Sequence, residues 1–222
     1  MPSLYNIVIW FGTLVILISF ITALRLIGKR NCPFYLKNFY LFPFLALLVS
    51  ANTILGGYFH LFSHRLIHII QNLLFILEFL FWYLFFLALI KRNSKSLHFV
   101  FMLFLVITIL LRLITGFHNL RFEILAVTNF GNIFFCLIYY NELFKSIPKL
   151  NLNSEPSFWI VTGLFFYNCI SLPIYTIESF LTTNLPRLIT RNIFATTNIA
   201  IILMHILFIK AYLCQIRQHK AL

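Results

Sequence analysis

The chain has 222 residues, of which 61% are hydrophobic and 10% charged, and its formal net charge is +12. An average soluble domain is about 45–50% apolar and about 25% charged, so the composition excludes an ordinary soluble protein. The mean hydropathy is +0.94, and apolar residues follow one another along the whole chain, which also excludes a soluble domain with a single anchor. The lipid bilayer is therefore the expected solvent.

Apolar runs long enough to cross a membrane occur seven times. A bilayer core about 30 Å thick needs roughly 20 apolar residues per helix. Because only short polar or basic stretches separate the runs, consecutive helices are expected to lie side by side. The sequence predicts a single all-α domain, residues 1–222, built as an up-and-down bundle of seven transmembrane helices. The predicted spans cover about residues 4–26, 39–57, 66–90, 99–115, 122–143, 158–181 and 192–213.

The basic residues divide unevenly between the two ends of these spans. Short cytoplasmic loops retain Lys and Arg, and twelve of the 17 Lys and Arg residues fall on the side of the C-terminus. The pattern predicts an N-terminus outside, a C-terminus inside, and a multi-pass protein of a bacterial cytoplasmic (inner) membrane. The net charge then reflects topology and anionic lipid headgroups, so no nucleic-acid partner is expected.

Polar residues form a stripe along the third predicted span. Glu78 lies at its centre, and Gln71 and His68 follow on the same helical face towards the outside. A carboxyl group at this depth is either ionised, with a cation or several donors around it, or a neutral hydrogen-bond donor; the sequence leaves its charge open. An intramembrane ionisable group indicates a ligand, proton or ion site, and the alternative is a protonated Glu that only joins helices by hydrogen bonds.

Polar side chains at similar depth occur in the last three predicted spans. Asn132, Asn168 and Asn198 are the candidates that would face Glu78, whereas the inner halves of the third and fourth spans are almost wholly apolar. This asymmetry predicts an outward-facing polar cavity with Glu78 at its floor. Asn side chains also join helices in membranes, so a purely structural role stays open for each.

Two further ionisable residues lie inside predicted spans. His205 is at nearly the depth of Glu78, which suggests a proton-sharing pair if their helices touch; otherwise its imidazole binds a backbone carbonyl or faces lipid. Arg112, near the outer end of the fourth span, either extends to the headgroups or turns inward and offers a forked donor to an anionic ligand or lipid.

Three histidines, His60, His64 and His68, precede and open the third span with the pattern HxxxHxxxH. An i, i+4 pair can chelate one transition metal, but three such residues span about 12 Å and do not reach the same ion. A metal site would need a ligand from another outer segment, and interfacial histidines without metal are the alternative.

Motifs of known enzymes are missing from the sequence. The chain has no Asp, its five Glu residues are scattered, and neither a GxSxG, a Walker-type nor an HExxH pattern occurs. The sequence thus leans against an enzyme without excluding one such as a membrane hydrolase, and no cofactor and no catalytic residue are expected.

Two loose patterns carry a family resemblance. The third span reads EFxxWY from Glu78, and the entry to the sixth reads PxFWxxxGxxxY from Pro156, with Asn198 in the seventh. Together they resemble short bacterial seven-helix membrane proteins related to the sensor regions of histidine kinases. The resemblance covers about half of the chain, implies signalling by association, and carries over no catalytic residue.

These observations favour a sensor- or receptor-like membrane protein that binds a small ligand, lipid or proton at Glu78 and signals through a separate cytoplasmic or membrane partner. The alternative is a small-solute or ion transporter of three-plus-one-plus-three type, suggested by weak similarity between the third and seventh spans. A structural membrane subunit without ligand is the second alternative.

Overall fold

A computed structural model describes residues 4–26, 32–57, 64–90, 94–115, 122–145 and 152–220. This part of the chain is helical and contains no strand. The helices are α1 (Leu4–Leu24), α2 (Phe34–Lys37), α3 (Leu41–Gly57), α4 (His64–Leu89), α5 (Ser94–Thr115), α6 (Phe122–Lys145), a 3-10 helix (Leu152–Ser154), α7 (Pro156–Thr176), α8 (Glu178–Asn184) and α9 (Arg187–Lys220).

Six of the described helices, α1, α4, α5, α6, α7 and α9, are long and apolar enough to cross a bilayer. Many of their large apolar side chains point outward, with Ile114 81% and Leu113 72% exposed, as expected where lipid surrounds the bundle. The chain is therefore a helical, multi-pass membrane protein. The second predicted span corresponds to α3, whose 17 residues extend about 26 Å, slightly less than a bilayer core.

The two ends of the bundle are called the α8 end and the α2 end, after the short helix at each. At the α8 end the starts of α1 and α9 meet, where Arg191 Nη2 donates to Asn6 Oδ1 at 3.1 Å. At the α2 end α9 meets the 3-10 helix, where Gln218 Nε2 donates to the Ser154 carbonyl oxygen at 2.7 Å.

Aromatic side chains fill the half of the bundle nearest the α2 end. Phe39, Phe42, Trp82, Phe86 and Phe208 are almost completely buried there, and the ring centroids of Phe42 and Trp82 are 4.6 Å apart. The half nearest the α8 end holds most of the buried polar side chains instead. They include Asn52, Gln71, Asn72, Arg112, Thr128, Asn129, Asn168, Ser171, Thr190 and Thr197.

Helix α9 packs closely against α7 and α1 through glycines on those two helices. A Cβ atom at Gly163 of α7 would lie 3.1 Å from the Met204 carbonyl oxygen and 3.3 Å from the Leu207 Cβ. At Gly12 of α1 the nearest atom, on Ile202, would be 3.6 Å away, an ordinary contact. Of these two glycines, Gly163 is therefore the one that the observed separation of the helices requires.

The helix ends near residues 176–220 differ from the predicted spans. The sixth predicted span ends early because α7 stops at Thr176, after Pro173 has removed one donor from the helix, and α8 follows as a separate helix of about two turns. Helix α9 starts at Arg187, directly after Pro186, and continues to Lys220. Its extension beyond residue 213 is held by contacts with the 3-10 helix, which no hydropathy pattern records.

A polar network joins α6 and α7 to the segment around α2. Ser157 Oγ donates to Glu155 Oε1 at 2.7 Å and lies 2.9 Å from the Tyr139 hydroxyl. Burial and the nearby Glu155 carboxylate raise the pKa of Tyr35, a neighbour of Ser157, so its phenol stays neutral. The network fixes the start of α7 against α6 at the α2 end.

Candidate functional site: the cavity around Glu78

Glu78 faces a small cavity between α4, α6 and α7, called here the Glu78 cavity. It lies near the middle of α4 and has a volume of about 30 Å³, enough for about two water molecules. The cavity is lined by Phe75, Glu78, Phe79, Leu125, Thr128, Asn129, Asn132, Tyr167 and Tyr175.

Two α6 side chains in the wall of this cavity each already donate one hydrogen bond to a neighbouring group. Asn129 Nδ2 donates one of its two N–H groups to Ser171 Oγ at 2.8 Å, which holds the amide in place and leaves its Oδ1 and one N–H for other partners. The Thr128 hydroxyl donates to the Leu125 carbonyl oxygen at 3.1 Å, so its lone pairs are free to accept. The wall opposite Glu78 is thus rich in acceptors.

Asn132 also lines the cavity, one turn along α6 from Thr128. It is 5% exposed, and its Oδ1 has no hydrogen-bond partner among the described residues. A buried amide oxygen without a donor costs free energy.

Two tyrosines of α7 complete the wall. The phenols of Tyr167 and Tyr175 are neighbours of each other and of the Glu78 carboxyl group. The Trp82 indole lies one turn further along α4 from Glu78, but its Nε1 makes no hydrogen bond of standard geometry with any described residue. No Lys, Arg or His in the described part of the chain forms an ion pair with Glu78.

Of the other site residues suggested by the sequence, Gln71 and His68 lie on α4 away from the cavity. Gln71 Nε2 donates to Thr53 Oγ1 at 3.2 Å, and Asn52 Nδ2 donates to the Ile67 carbonyl oxygen at 3.2 Å. These contacts join α4 to α3, so Gln71 has a structural partner and does not reach Glu78.

Asn168 and Asn198 are likewise outside the Glu78 cavity. Asn168 is fully buried and donates to the Leu164 carbonyl oxygen of its own helix. Asn198 donates to the Phe194 carbonyl oxygen and lines a second cavity of about 150 Å³ between α1, α3 and α9. Asn132 is therefore the only one of the three predicted asparagines that meets Glu78.

Arg112 turns into the bundle and does not extend to the membrane surface. Its side chain is 3% exposed, and its Nη2 donates to Asn72 Oδ1 at 2.5 Å. It lines a separate, apolar cavity of about 70 Å³ with Thr108 and Ile76. The guanidinium group thus pairs α5 with α4 and is remote from the wall of the Glu78 cavity.

His205 lies in the aromatic half of the bundle. Its imidazole is fully buried and stacks on Phe42, with ring centroids 5.9 Å apart, and it also contacts Phe208. Neither ring nitrogen has a hydrogen-bond partner among the described residues. The structure therefore joins His205 neither to Glu78 nor to a backbone carbonyl, and its ring does not face lipid.

The histidine pattern at the start of the third span falls largely outside the described part of the chain. His60 lies beyond it, the side chain of His64 is not described, and His68 is half-buried. Among the described residues, no group of three His, Cys, Asp or Glu side chains is arranged to hold a metal ion.

Sequence reasoning missed Thr128 and Tyr175 as neighbours of Glu78. Thr and Tyr are frequent in this chain, and only the relative rotation of α4, α6 and α7 selects these two. Tyr167 and Tyr175 are eight residues apart, which places them on one face of α7; this spacing was the one available signal.

Comparisons with protein families, with characterised proteins and with solved structures find no match to this chain.

Proposed function

We propose that this protein is a sensor- or receptor-like protein of the cytoplasmic (inner) membrane, with the Glu78 cavity as its ligand site. Seven helices cross the membrane, with α3 as the short second span, and the α8 end and the N-terminus face outside. The protein passes its signal to a separate partner at the α2 end. The resemblance to histidine-kinase sensor regions agrees with this role.

The orientation is supported by charge and by the depth of polar groups. Described basic residues cluster at the α2 end, among them Arg25, Lys37, Lys95, Lys145 and Arg217, and the positive-inside rule assigns such an end to the cytoplasm. The buried polar residues of the other half then lie on the outer side of the membrane, from which a ligand arrives.

The observation that carries the proposal is the size and chemistry of the Glu78 cavity. At about 30 Å³ it admits a proton, a water molecule or a small ion, and it excludes a sugar or an amino acid. A carboxyl group, acceptor oxygens and phenols around so small a space give two states, ligand-free and ligand-bound, that differ in charge. Such a difference can shift a conformational equilibrium.

A receptor is favoured over a transporter by what lies between Glu78 and the α2 end. Phe79 stacks on Phe135 with centroids 5.7 Å apart, and Trp82 packs on Phe42. A carrier with alternating access needs a polar path to both faces, whereas these rings fill the core on the cytoplasmic side of Glu78. A receptor needs only the outer path and an inner end that moves.

The test uses Trp82 as a reporter next to Glu78. The chain has three Trp residues, so replacing Trp10 and Trp159 by Phe leaves Trp82 as the only indole. We expect the Trp82 emission of the purified protein to change with pH, and Glu78→Gln to abolish the change while the protein stays folded. Glu123→Gln, which removes a carboxyl group from the start of α6, should keep the change and serves as the control.

Liposome experiments then separate the two mechanisms. With the protein reconstituted under a proton or sodium gradient, a receptor should give no flux above that of empty vesicles. Glu78-dependent flux would assign the chain to the transporters. If the Trp82 emission changes neither with pH nor with any small solute tested, the remaining function is that of a structural membrane subunit without a ligand.

A further inference from the structure

We infer that the Glu78 cavity binds one small monovalent cation, of the size of Na⁺, through the Glu78 carboxylate and neutral oxygen atoms of α6. The inference rests on the Glu78 cavity being the ligand site of the proposed function, and it names the chemical class of that ligand.

The first argument is charge. A carboxylate inside a membrane is costly unless a positive charge compensates it, and no described Lys, Arg or His forms an ion pair with Glu78. The cavity wall contains a single acidic side chain. One monovalent cation makes the site neutral, whereas a divalent ion would leave a net positive charge in the low-dielectric core.

The second argument is the kind of atom that faces the cavity. The donation of Asn129 to Ser171 holds its amide in place, and that of Thr128 to Leu125 uses its only hydroxyl hydrogen, so Asn129 Oδ1 and Thr128 Oγ1 keep lone pairs for a cation. Hard cations prefer carboxylate, carbonyl and hydroxyl oxygens, whereas zinc and copper prefer nitrogen and sulfur. The cavity wall has neither His nor Cys.

The third argument compares a cation with a proton. A proton on Glu78 supplies one donor, which satisfies one acceptor. The cavity wall offers Thr128 Oγ1 and Asn129 Oδ1 as acceptors beside the Glu78 carboxylate. A cation at the centre coordinates several of these oxygens at once, so it compensates the buried acceptors better than a proton does.

The volume agrees with a single ion. About 30 Å³ holds a cation with at most one or two water molecules, and it is too small for an organic cation such as choline. Choline chloride is therefore a suitable salt to keep the ionic strength constant in the absence of alkali ions.

The hydrogen bond from Asn129 to Ser171 makes Ser171 a positioning residue. Ser171 also donates to the Tyr167 carbonyl oxygen at 2.7 Å, so its hydroxyl is fixed and in turn fixes the Asn129 amide. Without it, Nδ2 of Asn129 can turn towards the cavity and repel a cation. Ser171→Ala should weaken cation binding although it removes no ligand.

The experiment measures the thermal unfolding of the purified full chain in detergent while NaCl or LiCl replaces choline chloride at constant ionic strength. We expect Na⁺ or Li⁺ at 100-fold its Kd to raise the Tm of the wild type by at least about 2 °C. Glu78→Gln should abolish the shift, and Thr128→Val and Ser171→Ala should each raise the apparent Kd about tenfold or more.

The matched control is Thr108→Val. Thr108 is a buried threonine of α5 whose hydroxyl donates to the Phe104 carbonyl oxygen at 2.7 Å, the same kind of bond that Thr128 makes, but away from the Glu78 cavity. This variant should keep the wild-type response to Na⁺, so a change in Thr128→Val is not explained by the loss of such a bond alone.

Two results would overturn the inference: no alkali-ion shift in the wild type, or equal affinities in Thr128→Val and Thr108→Val. The comparison of Thr128→Val with Thr108→Val tests the cation site even if Glu78→Gln does not fold. If no alkali ion shifts the Tm but Trp82 emission still follows pH through Glu78, the proposed function stands with a proton as ligand and only the cation is wrong. If neither Na⁺ nor pH acts, both fail.

Discussion

The hydrogen bond between Arg112 and Asn72 joins α5 to α4, but the loss of either partner would destabilise the protein. A guanidinium group that is 3% exposed depends on the hydrogen bonds it makes, because a buried donor without a partner costs more than the bond gains. The two residues therefore depend on each other, and the losses of unfolding free energy caused by substituting each one should not add up in the double variant.

We expect Asn72→Leu to destabilise the protein by about 1–3 kcal/mol, because it removes the acceptor of the 2.5 Å bond from Arg112. The double variant with Arg112→Met should recover much of that loss, since both polar groups are then gone. Unfolding in denaturing detergent measures all three proteins. A double variant as unstable as the sum of the single ones would contradict the pairing.

The buried His205 leads to the opposite expectation. Its two ring nitrogens have no hydrogen-bond partner among the described residues, and its neighbours Phe42 and Phe208 are aromatic. His205→Phe keeps a ring of similar size and removes two unsatisfied polar atoms, so the Tm should rise, by about 2–4 °C for a gain of about 1 kcal/mol. A lower Tm would contradict this expectation and would mean that the imidazole makes a stabilising hydrogen bond in solution.

At the scale of the helices, α9 is the element around which α1 and α7 are arranged. Its contact with α7 depends on the absence of a side chain at Gly163, where a Cβ would meet the Met204 carbonyl oxygen at 3.1 Å. A backbone atom in the middle of a helix cannot move aside as the end of a flexible side chain can.

Gly163→Ala should therefore separate α7 from α9 and lower the stability by about 1–3 kcal/mol. Gly12→Ala is the matched control, because its Cβ would make only an ordinary 3.6 Å contact with Ile202; it should be neutral or slightly stabilising. Thermal unfolding of both variants checks this, and equal stabilities of the two variants would mean that the close contact at Gly163 does not govern the stability there.

The comparison of these helices with the sequence shows what hydropathy can predict. Apolar runs located every long helix, and the depth of Glu78 in α4 follows from its distance to the polar ends. The break between α7 and α8 was missed because the chain stays apolar through Pro173 and Ile177, and hydropathy does not register a helix end inside an apolar run. The extension of α9 to Lys220 depends on a hydrogen bond from Gln218 to a distant loop.

The candidate site was predictable only in part for a similar reason. Depth identified Glu78 and Asn132, but the choice between Asn132 and Asn168 depends on how α6 and α7 are rotated about their axes. That rotation is set by packing, such as the close approach of Phe104 and Phe79 at Gly131. The sequence pattern gives the depth of a residue in the membrane and the helix face on which it lies. Which other helix that face contacts is decided only when the bundle is assembled.

For the whole molecule, the orientation in the membrane is the property to test first. Thr183 of α8 and Lys145 at the end of α6 are both exposed and lie at opposite ends of the bundle. With the exposed native cysteines replaced by Ser, Thr183→Cys should react with a membrane-impermeant maleimide on intact cells, and Lys145→Cys only after the cells are opened. The reverse pattern would invert the proposed topology.

The length of α9 has a mechanical consequence. Its 34 residues form an uninterrupted helix about 51 Å long, so its two ends move as parts of one stiff lever. If its α8 end is held where Arg191 meets Asn6, a tilt of about 5° moves the other end sideways by about 4 Å. A displacement of about 2 Å at the middle of α9 is thereby doubled at Gln218 and the basic residues beside it. A protein bound at that end would be displaced by the same amount.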